Sequence, residues 1–394
     1  MNEKIDSATV SKKGYSDITS EKRKHSNERL IEVGLELFDG DESKLYQAIY
    51  NASKMEKTKA KLADAKYNTN TVKVFDIEKL IHIRDNLSSN ERSLRTILKK
   101  FNLDSDTGYR ELKGISQTFT TDIENLKQKY PNCREFLEFI DEFAALSLYR
   151  SGYREMSFPP VLLSGPPGVG KTAVVSEVAK LLEVTCRKID FATVTSGFVL
   201  SGSTTSWSEA KTGCVIDILR DGLTANSILI LDEIDKVGGD NRYDPLGSLY
   251  TLLEKNMAAE FIDEALDLPV NASHLMFVAT ANNVELIPDA IRSRFIEISI
   301  KQIEKKHHKV VTQSIYVSHL KTEKIEEVFS KKINDETLWS LRGTSPREIK
   351  LILARAVAKA ARRSIGENTI QLQPEDLILA EDDQNNPVGF IWNR

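Results

Sequence analysis

Apolar residues fall along this chain in three regimes. Residues 1–27 are rich in Ser, Lys and Glu without an apolar period, and read as disordered or frayed. From Glu28 to Lys129, apolar clusters recur at helical spacing between charged faces. Leu30, Val33, Leu35, Leu37 and Phe38 form the first, Val74, Ile77, Leu80, Ile81 and Leu87 the second, and Leu94, Ile97, Leu98 and Phe101 the third. Asn68, Asn70, Asn86 and Gly108 punctuate them, which predicts roughly three to five helices in an interaction region spanning residues 1–130. Tyr130-Pro131-Asn132 breaks the pattern. A helix over Cys133–Ser147 follows, carrying Phe136, Leu137, Phe139, Ile140, Phe143 and Leu146.

From Pro160 the period shortens. Aliphatic runs at Pro160–Ser164, Val184–Phe191, Ser227–Leu231, Leu275–Ala281 and Phe295–Ile300 read as strands, and helical patterns over Ala173–Leu182, Ala210–Leu219, Pro245–Glu254 and Pro288–Ser293 lie between them. Alternation at these lengths predicts an α/β core over residues 131–301, with a parallel sheet covered on both faces. Residues 302–380 are helical throughout. The tail, 381–394, ends in Phe390-Ile391-Trp392 and reads as an apolar anchor onto the body.

Between the first strand and its helix lies Gly165-Pro166-Pro167-Gly168-Val169-Gly170-Lys171-Thr172, the G-x-x-x-x-G-K-T phosphate loop, with Ala173 opening the helix. Glycines admit backbone dihedrals closed to other residues, so successive N–H groups can converge on phosphate oxygens. Lys171 reaches the β/γ-phosphates, Thr172 supplies a hydroxyl to Mg²⁺, and the helix N-terminus lies under the negative charge. This segment binds a nucleoside triphosphate.

Ser227-Ile228-Leu229-Ile230-Leu231 ends in Asp232-Glu233. Four consecutive aliphatics make an interior strand, so Asp232 emerges at the carboxyl edge, where open α/β sheets bind ligands. There Asp232 joins Thr172 around Mg²⁺, and Glu233 orients or deprotonates a water for in-line attack on the γ-phosphate. Asn282 closes another buried strand, Met276-Phe277-Val278-Ala279, where its amide can bond the γ-phosphate or the attacking water. Ser345-Pro346-Arg347-Glu348 offers an N-cap, a proline at the first helical position and a capping-box acid. Arg347 therefore sits in a fixed first turn where the helix dipole disfavours a cation, and phosphate is a suitable counter-charge.

With these residues in hand, the chain resembles the AAA+ ATPases, and within them the ATPase module of Lon proteases, from about Phe158 to about Arg363. The segments ILDEIDKVGGDNRYDPLGSLYTLLE, FIDEALDLPVNASHLMFVATAN and IPDAIRSRF carry the resemblance in order. It implies an αβα core, a helical lid over 302–380, and a homo-oligomeric ring, usually a hexamer, with ATP bound between neighbours. Asn282 then stands at the first sensor and Arg347 at the second. Arg294 matches the arginine finger that acts on a neighbour's nucleotide, a contribution of about 10³–10⁵ in rate. Arg292 is the alternative finger. Trp207 stands where the Lon pattern has an aromatic followed by an aliphatic that grip polypeptide in the pore. Here Ser208 replaces the aliphatic, which leaves a threading and a packing role both open. Phe261 lies in the segment resembling the second pore loop, with the same two readings.

Composition narrows this little. A net charge of −4 and 28% charged residues describe an ordinary soluble protein without a strong nucleic-acid footprint. Cys133, Cys186 and Cys214 lie far apart, which suits buried thiols in a reducing compartment, and no apolar run has membrane-span length or the form of a signal peptide, so a cytoplasmic protein is expected. Adjacent His307 and His308 diverge on a helix and do not chelate; Lys305–Lys309 reads as a solvated helix face. The leading expectation is an ATP- and Mg²⁺-dependent motor that remodels a protein substrate or partner, with no peptidase following Arg394. The alternative is a nucleic-acid-associated ATPase recruited through residues 1–130.

Overall fold

The computed structural model describes residues 70–88, 91–150, 155–194, 196–203, 210–238, 244–366 and 369–378. Trp207 and the Phe390-Ile391-Trp392 tail lie outside them. Nine strands occur among the described residues: β1 (Thr71–Lys73), β2 (Tyr109–Glu111), β3 (Val161–Ser164), β4 (Cys186–Asp190), β5 (Ile228–Asp232), β6 (Phe261–Asp263), β7 (Leu268–Val270), β8 (Met276–Ala281) and β9 (Ile296–Ser299). Five of them form the central sheet in the order β4-β5-β8-β3-β9, every pair parallel.

Burial explains the order. The three inner strands are buried along their whole length, whereas the edge strands β4 and β9 fully bury only Ile189 and Ile298. Each aliphatic side chain fully buried here stabilises the fold by about 1.5–3 kcal/mol, and Ile228 to Leu231 supply four in succession. The register sets Ser164 beside Ala281 and Asp190 beside Asp232. The carboxyl ends of β3, β8 and β5 therefore lie side by side, with β8 in the middle.

Helices pack against the sheet to form its main core. The helix Lys171–Leu181 packs Val174, Val175, Val178 and Ala179 into the core, joined there by Phe136, Leu137 and Ile140 of the helix Arg134–Ser147. Phe119 and Ile123 of the helix Phe119–Lys129 enter the same core, although these residues precede the 130/131 boundary read from the sequence. The segment before that helix holds the largest departure from expectation. Residues predicted as purely helical include the antiparallel pair β1–β2 beside the helices Ile77–Asp85 and Arg92–Leu98. Two three-residue strands are too short to show a period.

Specific polar contacts dock this segment on the core. Arg110 is buried; its Nε donates to the Leu219 carbonyl (2.6 Å), it pairs with Asp106 (2.7 Å), and it lies 5.2 Å from the Phe75 ring centre. Asn226 is fully buried and bonds Lys113 through both N–H and C=O while also donating to the Met156 carbonyl.

Downstream, the helix predicted over Ala210–Leu219 begins at Cys214, because the N–H of Gly213 is taken by the Asp263 carboxylate. The helix predicted over Pro245–Glu254 contracts to Leu249–Leu252. The C-terminal region has its own core, built by Tyr316 and Leu320 of the helix His308–Glu323 against Ile349, Leu353, Ala356 and Ala360 of the helix Pro346–Arg363. Ser345 and Glu348 form a complete capping box with Pro346 inside it. One reading is corrected here. Lys305–Lys309 is not wholly a solvated face, because His308 is 4% exposed and faces the Thr344 carbonyl and the Thr312 hydroxyl.

Candidate active site

The phosphate loop leaves β3 through glycines in left-handed conformations: Gly165 (φ +145°), Gly168 (φ +76°) and Gly170 (φ +99°). A side chain at Gly165 would run into the Ile300 carbonyl, so only glycine fits there. Lys171 follows, and its Nζ donates to the Gly165 and Pro166 carbonyls (2.5 and 3.0 Å) and to Asn282 Oδ1 (2.8 Å). Thr172 donates its hydroxyl to Asp232 Oδ1 (2.8 Å). Residues far apart in sequence meet because the ends of β3, β8 and β5 adjoin. Burial pushes the Lys171 ammonium below its usual range, while the negative charges of Asp235, Asp232 and Glu233 oppose the shift.

The Asp232 carboxylate is enclosed by donors. Thr280 reaches Oδ1 at 2.6 Å and Lys188 reaches Oδ2 at 3.1 Å. Burial pushes its pKa up, but the bonds from Thr280, Thr172 and Lys188 outweigh it and hold the group below the usual carboxylate value. Glu233 follows in the left-handed region (φ 54°, ψ 44°), a conformation costing about 1–3 kcal/mol outside glycine. Its N–H donates to Thr280 Oγ1 (3.0 Å), which fixes the turn. Glu233 lines the cleft, and its carboxylate pairs with Lys236 at 3.0 Å, a solvent-exposed contact that leaves it free to turn. Asp235 accepts the backbone N–H groups of Asn282 and Asn283 (3.1 and 2.9 Å) and so orients the end of β8.

Lys171, Thr172, Asp232, Glu233, Thr280 and Asn282 line a cleft of about 720 Å³, within the span of nucleotide-sized ligand sites. Arg347 also lines the cleft, with its Cβ and Cδ carbons toward Gly168. The guanidinium has no hydrogen-bond or ion-pair partner among the described residues, so a cation stands unpaired beside a phosphate loop. Tyr130 and Asn132 complete the mouth, Asn132 donating to the Val169 and Lys301 carbonyls (3.0 and 3.3 Å). The set fits a nucleotide carrying a divalent cation: loop amides, Lys171 and Arg347 match phosphate charge, and Thr172 with Asp232 offers two hard oxygens. So few protein ligands suits Mg²⁺, which takes its remaining ligands from phosphate and water.

The family comparison agrees with this geometry. Residues 161–302 match the family described as "ATPase family associated with various cellular activities (AAA)". This region is an AAA domain. The chain is also similar to Lon protease of Clostridioides difficile (26% identity over 64% of this chain and 32% of that protein) and to Lon protease 2 of Myxococcus xanthus (32% identity, 58% and 28%). It thus spans about a third or less of the length of these relatives. A chain of the S. cerevisiae Hsp104–casein complex in its extended conformation shares the fold, with a TM-score of 0.51 at 13% identity over 65% of this chain and 50% of that one.

The AAA domain does not bring every sequence-predicted residue to one place. Neither Arg292 nor Arg294 lines the cleft. Arg292 pairs with Glu297 (2.8 Å); Arg294 contacts Glu254 (3.2 Å) and the Ala290 carbonyl and lies over the Tyr250 ring. Phe261, open to both a gripping and a packing reading, packs inward in this chain. It is 5% exposed because alternate residues of β6 face opposite ways, so Phe261 and Asp263 point inward and Ile262 outward. Sequence reasoning missed Thr280, Lys188 and Asp235. A hydroxyl one residue from the end of a buried strand was the available signal for Thr280; the others needed strand register.

Proposed function

We propose that this chain binds ATP with Mg²⁺ through its AAA domain, hydrolyses it, and works as a ring-forming motor, usually of six subunits, that remodels a protein substrate. The observation that carries the ATPase reading is the convergence of Lys171, Thr172, Asp232, Glu233 and Asn282 on one cleft that Arg347 also lines. Loop amides, Lys171 and Arg347 bind and orient the phosphates. Thr172 and Asp232 would hold Mg²⁺, which would supply screening of the phosphate charge. Glu233, on its fixed turn, takes the proton of the attacking water while Asn282 orients that water.

Arg294 and Arg292 turn away from their own chain's cleft, and this supports supply of the finger to a neighbour across a ring interface. Similarity to Lon proteases and the Hsp104 fold supports a protein substrate. The test is Glu233→Gln. It should retain nucleotide binding and assemble ATP-bound rings, with hydrolysis lowered by about 10²–10⁴. Undiminished hydrolysis would sink the mechanism. Mixing Arg294→Ala subunits with Glu233→Gln subunits should restore turnover if the finger acts in trans, and should not if it acts within its own chain.

A further inference from the structure

Asp232 has a third side-chain partner that the proposed chemistry does not use. Lys188 projects from the edge strand β4 and places its ammonium 3.1 Å from Asp232 Oδ2. Both hydroxyls, from Thr172 and Thr280, go to Oδ1. Oδ2 is thus the carboxylate oxygen left for a cation, and the chain's own cation occupies it.

The two partners differ in their freedom. Asp232 is 13% exposed and clamped by two threonines, whereas Lys188 is 48% exposed on a flexible stem at the sheet edge. The ammonium can leave at little cost in packing. A second carboxylate is at hand, because Asp190 lies two residues along β4 on the same face. The negative charges of Asp190 and Glu233 both act on Lys188. Lys188 is not among the residues lining the nucleotide cleft; it borders a separate basin of about 620 Å³ with Arg187 and Lys211.

We infer that Lys188 is a built-in competitor for the divalent cation: it neutralises and orients Asp232 before metal arrives and must be displaced for metal to bind. The inference rests on the reading above that Asp232 and Thr172 hold the cation. Lys188 is a positioning residue, since it touches neither nucleotide nor reacting atoms. Its consequence is a raised metal requirement, which makes stable occupancy depend on nucleotide and metal arriving together.

The measurement is Mn²⁺ binding, read from the electron-spin resonance of the free ion, on the full chain with a saturating non-hydrolysable ATP analogue. Lys188→Met should bind Mn²⁺ about fivefold more tightly, equivalent to about 1 kcal/mol for a partly screened pair. Lys188→Arg should match the parent. Metal-free affinity for the analogue should be the same in all three. Lys188→Gln repeats the test should the Met variant fold poorly by circular dichroism. Equal or weaker Mn²⁺ binding by the neutral variants, with normal binding by the parent, overturns the competitor role while leaving the ATPase reading intact. Failure of the parent itself to bind Mn²⁺ in a nucleotide-dependent way, or retention of binding by Asp232→Asn, overturns both.

Discussion

Replacing Thr280 by Val tests how the end of β8 organises the site. The substitution keeps the shape of a side chain that is 1% exposed and removes only its hydroxyl. Two bonds disappear: the 2.6 Å donation to Asp232 Oδ1 and the 3.0 Å acceptance from the Glu233 N–H. A hydrogen bond to a charged group contributes about 1.5–3 kcal/mol, and a buried N–H left without a partner costs about 1–3 kcal/mol. Because the Glu233 N–H is only part-buried, the expected loss lies toward the lower end of the combined range, about 2.5–4 kcal/mol, read as a lower urea midpoint with an unchanged m-value. The Glu233 turn is strained and loses one of its fixings, so hydrolysis should fall more steeply than nucleotide affinity. Asp232 should also titrate higher. Because its folded pKa lies below the unfolded value, its stabilisation is present above the ordinary carboxylate value of 3.8 and is lost as pH falls through the folded pKa. Thr280→Val should shrink that acid-side loss. Thr280→Ser, which keeps the hydroxyl, separates the bonds from the lost methyl. A Val variant within about 0.5 kcal/mol of the parent, with kcat and KM unmoved, would refute the reasoning.

Three further outcomes are expected. Arg347→Ala should weaken ATP-analogue binding about tenfold or more, the worth of a charge-assisted contact to phosphate, without lowering thermal stability; unchanged affinity by titration calorimetry would remove it from the site. Asn226→Ala should destabilise by about 2–4 kcal/mol by orphaning the polar groups of Lys113 and Met156, and hydrogen exchange should show the Lys113 amide losing protection. Asp376 is fully buried; burial raises its pKa, but Arg363 (2.9 Å) and the Gln373 N–H hold it below the usual value. Asp376→Asn should therefore melt earlier than the parent at neutral pH, and the gap should close as pH falls below about 3.8. A gap constant across pH would assign the loss to packing instead.

Features written in contiguous residues were legible from the chain alone. The phosphate loop is one such, since its dihedral needs, its lysine and its hydroxyl all lie within Gly165–Thr172. Aliphatic runs marked the inner strands β3, β5 and β8, because a strand buried on both faces needs no period to be recognised. Asp232 and Glu233 were found as the ending of such a run, and the capping box at Ser345 as a local pattern of four residues. Short or alternating pieces escaped. The strands β1 and β2 hold three residues each, and their stability comes from Arg110 and Asn226 bonding a distant part of the chain. In β6, one residue of register sends Phe261 into the interior and Ile262 out.

The sequence by itself determined the chemistry available: a phosphate loop, a carboxylate pair, an amide and an arginine in a capped first helical turn, each set by residues close in the chain. Which of these groups meet was a tertiary decision. Parallel pairing of β5, β8 and β3 in that order carries Asp232, Asn282 and Lys171 to one edge, adds Thr280 and Lys188 to the same carboxylate, and turns Arg292 and Arg294 away. Side-chain reach is a few ångströms, so these relations depend on which strands adjoin and in what register, and no local pattern encodes that.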